Sequence, residues 1–240
     1  MYEERLYRKL FKGINLEFFN VCVLETDLTI GANTNLYEAA LASVSKYRKQ
    51  LEQYIQLHPM FLTSLEPVEA EPGAPGIVLK MCEAAQKAGV GPMAAVAGAI
   101  SELVGLELLN YSDEVIVENG GDIFIKTKMN RRVGVYAGNS PFSEKLAVVI
   151  EADRTPLGIC TSAGTVGHSL SFGKVDAAMI LSKDTFLADA VATATGNIVK
   201  TPEDIEKALE FAMGIEGIEG ALVIIGDKMG AKGNIRLVRI

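Results

Sequence analysis

Histidine and cysteine are scarce in this 240-residue chain, with two and three residues respectively. No CxxC pair occurs, and His58 and His168 lie far in sequence from Cys22, Cys82 and Cys160. A zinc site of the usual cysteine and histidine spacing is therefore excluded. Three widely spaced cysteines in apolar surroundings predict buried free thiols rather than a disulfide framework. Also lacking is any dense cluster of Lys and Arg. With a net charge of -7, this argues against nucleic acid or an anionic membrane as partner, since both are bound by neutralising phosphates. The densest cationic run, Lys46 to Lys49, reads as a solvated helix face. No apolar run reaches the roughly 18 residues that would span a bilayer. The segment from Met1 to Gly13 is charged from its third residue and has no apolar stretch of signal-peptide length, so cytoplasmic residence is expected. Neither GxGxxG after a strand nor GxxxxGK[ST] is found, which removes the Rossmann and P-loop readings.

What is present is apolar and acidic: 49% hydrophobic residues, enough for one large domain or two fused halves. The pattern predicts strands at Leu16 to Leu24 and Leu28 to Gly31, joined by a turn at Glu25 to Asp27. A helix follows over Asn35 to Leu57, with apolar residues at helical spacing. Residues 61 to 76, with acids and prolines, read as a loop and the best candidate for an internal boundary. Helices are predicted over Pro75 to Ala88, stopped by Gly89, and over Pro92 to Leu106. The second is rich in small residues that permit close backbone approach, to another helix or to a ligand. Strands follow at 114 to 118, 123 to 127, 132 to 136, 145 to 151, 157 to 162 and 174 to 182. A last helix, Pro202 to Met213 with Thr201 as N-cap, leads into strands at 221 to 225 and 234 to 238. Hairpin-linked strands alternating with helices predict an α+β fold with largely antiparallel sheets packed with helices.

Two segments concentrate polar chemistry. Residues 159 to 197 gather hydroxyls, glycines, His168 and a helix beginning near Phe186, on which Asp189 and Thr193 share a face four residues apart. Such groups hold a phosphorylated ligand and a divalent cation. Alternatively, Asp189 is a helix-start acid stabilised by the macrodipole, with Thr193 packing one turn later. The second segment, residues 117 to 126, sets Gly120 and Gly121 between Asn119 and Asp122 in a tight turn with positive φ available. It serves equally as a plain hairpin turn or as an open backbone for a flat ligand.

NGGD after an apolar strand, TSxG with a following histidine, and ADAxAT opening a helix come in the order in which they occur in the ApbE family, which the chain resembles from about Pro92 to Gly196. Those flavin transferases move FMN from FAD onto a protein threonine with magnesium, on a T-fold-like scaffold. The likeness is to a short branch without the lipoprotein signal, with 1–240 as a single domain. The resemblance implies Asp189 and Thr193 as Mg²⁺ ligands, a hard-oxygen pair suited to that ion. It sets Thr161, Ser162 and Gly164 against a phosphate or flavin edge, and Asn119, Gly120, Gly121 and Asp122 beside FAD or FMN. His168 and Asp189 become the catalytic candidates, His168 by hydrogen bonding or proton transfer. The implied partners are a flavin or other nucleotide and a protein acceptor. The family's Gly-Gly-x-Phe-Asp-Pro element is missing, and its AKGYxVD segment is replaced by MAAVAGAISE, with Glu102 where the acid falls. Two functions stay open: a Mg²⁺-dependent FMN transferase or nucleotide pyrophosphatase, and a protein that binds flavin or a small anion without turnover. A purely structural role for the motifs is the third reading.

Overall fold

A computed structural model describes residues 15–164 and 173–240 of the chain. Among the described residues, two antiparallel sheets and a helical layer build the fold. The large sheet has eight strands in the order β1 (Glu17–Val23), β2 (Thr26–Ala32), β3 (Val115–Asn119), β4 (Asp122–Lys126), β7 (Leu157–Ser162), β8 (Ala177–Ser182), β9 (Ile218–Ile225), β10 (Lys228–Gly233). A smaller sheet of three strands runs β11 (Leu237–Arg239), β6 (Leu146–Ile150), β5 (Arg131–Gly134). The helices are α1 (Tyr37–Leu57), α2 (Met60–Thr63), α3 (Gly76–Ala88), α4 (Val96–Leu108), α5 (Thr185–Ile198) and α6 (Ile205–Met213). The order of elements repeats. Hairpin β1–β2, helices α1 to α4 and hairpin β3–β4 form one unit; hairpin β7–β8, helices α5 and α6 and hairpin β9–β10 form the second. The β4–β7 ladder, Ile123↔Ile159 to Ile125↔Leu157, joins the two units edge to edge. This is the expected α+β fold with antiparallel sheets packed with helices.

Strand alternation sorts the core into two layers. Val115, Val117, Cys160, Ala178, Ile180, Ala221 and Val223 face the helices. Their neighbours Ile116, Ile159, Ala177, Met179, Leu181, Leu222 and Ile224 face the smaller sheet and pack on Val135, Val148 and Ile150. A sheet covered on both faces needs apolar residues on both, which explains strands that read as near-continuous apolar runs. The small-residue helix α4 sits in the middle of this packing. A Cβ at Gly105 would lie 2.2 Å from the Phe124 ring, and one at Gly98 would lie 2.4 Å from the Thr185 carbonyl oxygen. Bulkier residues at either place would lift α4 off the sheet or off α5.

Several boundaries differ from expectation. The first turn is Leu24 and Glu25 rather than Glu25 to Asp27, with Leu24 at φ 53°. The 61 to 76 stretch begins with the end of α2, and Pro92–Ala95 forms a 3-10 turn before α4. Strand β10 was not expected at all. Cys82 and Cys160 are buried free thiols, but Cys22 is exposed. It lies on the edge strand β1, where Phe19 and Val21 take the helix-facing side and alternation turns Cys22 away. The Lys46 to Lys49 run is not simply solvated: Arg48 binds Thr26 Oγ1 at 2.7 Å and Glu25 at 2.8 Å, tying α1 to the β1–β2 turn. Among the described residues no single helix is long and apolar enough to cross a membrane.

One buried ionic node fastens the sheets together. Glu114, just before β3, accepts from Thr127 Oγ1 at 2.6 Å, the Lys128 N–H at 2.9 Å, Arg131 at 3.1 Å and Asn15 at 2.7 Å. Burial alone would raise its pKa, but these donors outweigh burial and hold it down at about 2. A depressed carboxyl contributes stability that is full above its unfolded value near 4.5 and is lost as pH falls towards 2. Glu114→Gln is therefore expected to cost ~3 kcal/mol at pH 7, with the gap to the parent closing as pH approaches 2. Urea denaturation of both proteins at pH 7 and pH 3 checks this.

Candidate functional site

The site is built where the two units meet. The β3–β4 hairpin turns through Gly120 and Gly121, at φ 70° and 104°, where only glycine is comfortable. Asn119 and Asp122 form the closing pair of that turn, and Glu118 Oε1 accepts from the Gly121 N–H at 2.9 Å. Opposite stands the first turn of α4, where a helix start leaves N–H groups open: Val96 donates back to the Met93 carbonyl, and Gly98 donates across to Asp189. Asn119 Nδ2 donates to the Ala97 carbonyl at 3.3 Å, and Ser101 Oγ lies 3.0 and 2.9 Å from the Ala97 and Asp122 carbonyls, its one proton shared between them. Turn and helix are thus stitched together by short polar side chains.

Asp189 closes the cluster. The N-cap of α5 is Asp184, which accepts from the Leu187 N–H at 3.1 Å. Asp189 is the fifth residue of the helix and turns away to another one, accepting from the Gly98 N–H at 2.8 Å. The macrodipole that favours it is therefore that of α4, not its own. Thr193 lies one turn further on the same face of α5, partly exposed. Ser162 is buried beside Gly196, with Oγ unpartnered among the described residues, and Thr161 runs past Gly121, whose added Cβ would lie 3.5 Å from the Thr161 carbonyl. Gly164 donates its N–H to Val175 at 2.8 Å and lies so close to Gly173 that an added Cβ would sit 2.2 Å from its carbonyl oxygen. His168 lies outside the described residues.

Electrostatically, burial dominates the cluster and raises both of its carboxyls. Burial, and then the charge of Asp189, push the Asp122 carboxyl well above the usual carboxylate range. Asp122 Oδ1 has no hydrogen-bond partner among the described residues. Burial raises Asp189 to about 7, opposed by the Gly98 and Ala97 N–H groups. The Cys160 thiol is driven well upward, by burial first and then by Asp122 and Asp189, so it is a poor nucleophile. Two buried carboxyls, one with an orphan oxygen, suit a cation that would let both ionise. Among the described residues no three His, Cys, Asp or Glu side chains are grouped to hold a metal. A cation here would complete its shell with hydroxyl, carbonyl, water or phosphate oxygens, as Mg²⁺ does.

The sequence reading named the turn, the hydroxyls of β7 and the α5 pair, and the structure brings Asn119, Asp122, Thr161 and Asp189 together around the α4 N-terminus. Ala97 and Gly98 stand in the sequence as small residues permitting close backbone approach and Ser101 does not stand out; together they supply the backbone and hydroxyl contacts. The run of small residues before Glu102 was the available signal, since only such a run lets two helix starts and a hairpin approach one another.

Comparison with known proteins agrees with this architecture. A family model described as AbpE bacteria matches residues 8–237. The chain is 42% identical over 221 residues to a UPF0280 protein of Methanococcus aeolicus, covering 90% of this chain and 89% of that one. It is 44% identical over 214 residues to a UPF0280 protein of Methanosarcina acetivorans, covering 88% and 84%. Its fold is similar to that of the flavinyl transferase ApbE of Pseudomonas stutzeri in the apo form, with TM-score 0.58 and 16% identity over 90% of this chain and 93% of that one. It is likewise similar to the ApbE protein of Thermotoga maritima, with TM-score 0.60 and 12% identity over 91% and 97%. Matched by the family model over nearly its whole length, the chain belongs to the ApbE-like family described as AbpE bacteria, alongside the UPF0280 proteins.

Proposed function

We propose that this protein handles a flavin or related nucleotide with Mg²⁺, as an FMN transferase or nucleotide pyrophosphatase of the ApbE type, in one cytoplasmic domain spanning the chain. The observation that carries this reading is the buried acid pair at the α4 N-terminus, where Asp189 is held by the Gly98 N–H and Asp122 keeps an orphan oxygen. Asp189 and Thr193 are the proposed cation ligands. Bound there, Mg²⁺ would offset charge gathering on phosphate oxygens as the pyrophosphate is cleaved.

The chain's own groups take the remaining roles in this reading. The N–H group of Gly98 aims the Asp189 carboxylate. Thr161, Ser162 and Gly164 face the pyrophosphate of FAD, and Asn119 to Asp122 lie beside the ring system. His168 moves the proton of an acceptor hydroxyl, on a protein threonine or on water. The missing Gly-Gly-x-Phe-Asp-Pro element favours a second reading, in which the site binds flavin or a small anion without turnover.

Incubation with FAD and MgCl₂, followed by chromatography, separates these outcomes. Release of AMP that stops on chelation is the expected result. A rise in Tm with FAD or FMN and Mg²⁺ but no AMP supports the second reading; ligand at a hundred times its Kd is expected to add about 2.7 kcal/mol. If neither flavin changes Tm with Mg²⁺ present, the flavin assignment is wrong.

A further inference from the structure

Helices α4 and α5 hold one another by their first turns. Asp189, on α5, accepts from the Gly98 N–H of α4 at 2.8 Å, and Glu102, on α4, accepts from the Thr185 N–H of α5 at 2.7 Å. In each helix the carboxylate follows the donated N–H by four residues, one turn on, so the exchange is reciprocal about the contact of Gly98 with Thr185. Both bonds satisfy N–H groups that a helix start leaves open, and both place a carboxylate where the macrodipole favours it. Ala95, the N-cap of α4, makes no side-chain cap of its own. Glu102 is buried and is braced by Lys80 Nζ of α3 at 3.3 Å, while the same ammonium lies 5.0 Å from the centre of the Phe186 ring. One node thus joins three helices across the junction of the two units.

We propose that Glu102 is a positioning residue: by holding the Thr185 N–H it sets the register of α5 on α4, and so places Asp189 at the α4 N-terminus. Its consequence for cation binding rests on the reading of Asp189 as a Mg²⁺ ligand; its consequence for Asp189 itself does not. A purely structural Glu102 would lower overall stability and leave the geometry of Asp189 in the folded protein unchanged. A positioning Glu102 acts on the bond between Asp189 and Gly98, which is a local and separately measurable quantity.

Residue-resolved amide exchange at Gly98 in the full chain tests the proposal without metal. Glu102→Ala is expected to speed exchange of the Gly98 amide about tenfold relative to amides in the middle of α4, as expected for loss of one buried hydrogen bond. Glu102→Gln keeps an acceptor for Thr185 and is expected to restore parental exchange. Should Glu102→Ala fail to fold, Glu102→Asp, which keeps the charge and shortens the reach by one methylene, is expected to show the same faster exchange. Mg²⁺ affinity, measured on the same proteins, is expected to follow the exchange rate, falling about tenfold where Gly98 loosens. Unchanged Gly98 exchange in Glu102→Ala or Glu102→Asp overturns the positioning role. Faster exchange in variants of a parent that binds no Mg²⁺ upholds it and removes the cation reading instead.

Discussion

Gly98→Ala is expected to be among the most damaging single-methyl substitutions in this protein. A Cβ there would lie 2.4 Å from the Thr185 carbonyl oxygen and 2.8 Å from Asp189 Cβ. The first of these is backbone and has no rotamer in which to escape. In an isolated helix the change would help by up to about 1 kcal/mol, because alanine is the better helix former. Here the intrinsic gain is overwhelmed, since α4 and α5 must separate and both reciprocal bonds between them lengthen. Overpacking of this kind costs ~3 kcal/mol or more, a fall of roughly 6–12 °C in Tm for a chain of this size. Gly76→Ala is the matched control. Among the described residues nothing lies within 4 Å of a Cβ at Gly76, which opens α3, so calorimetry is expected to show an unchanged or slightly raised Tm. Equal Tm values for the two variants would mean that the helices do not cross as closely as described.

Asp189→Asn separates chemistry from stability in the opposite sense. The amide oxygen still accepts from the Gly98 N–H, so the helix crossing is kept. What disappears is a charge buried beside Asp122. A carboxyl whose folded-state pKa is raised costs stability once pH exceeds its unfolded value near 3.8, and the whole cost is present above about 7. Without Mg²⁺ the variant is therefore expected to be at least as stable as the parent at pH 8, with that advantage fading towards pH 4. Any Mg²⁺-dependent activity is expected to fall by about a hundredfold or more, the scale seen when a transition-state electrostatic contact is removed. A variant that melts earlier than the parent at pH 8 would show Asp189 to be structural. One that keeps its activity would place the cation elsewhere.

The large elements were legible because their signals are local. Apolar spacing placed α1, Gly89 in the left-handed region ended α3, and Thr201 makes a capping box with Asp204 ahead of α6. The glycine pair at 120 and 121 adopts the positive φ its turn required. What escaped depends on partners. Strand β10 carries glycine, lysine and mostly exposed residues, and is a strand only because β9 pairs with it from Lys228↔Ile225 to Gly233↔Gly220. The first turn was misplaced because Leu24 is not a residue that announces positive φ. Cys22 reads as buried from its neighbours, yet an edge strand has a side that nothing need cover.

For the candidate site, the sequence offered the residue types and withheld their directions. Asp189 was visible as an acid at the start of a helix, which invites the inference that it serves that helix. The carboxylate instead reaches the first turn of α4, 91 positions away in sequence. Neither propensity nor spacing carries that information, because it is created by two small residues meeting at a crossing. Glu102 was visible as an acid in the right neighbourhood, without any indication that it returns the contact.

Calorimetric titration of Mg²⁺ into the full chain with FAD present, for the parent and for Asp189→Asn, tests the central claim most directly. One saturable Mg²⁺ site is expected in the parent and none in the variant, with both proteins folded. A parent that takes up no Mg²⁺, or a variant that binds it as tightly as the parent, would contradict that claim.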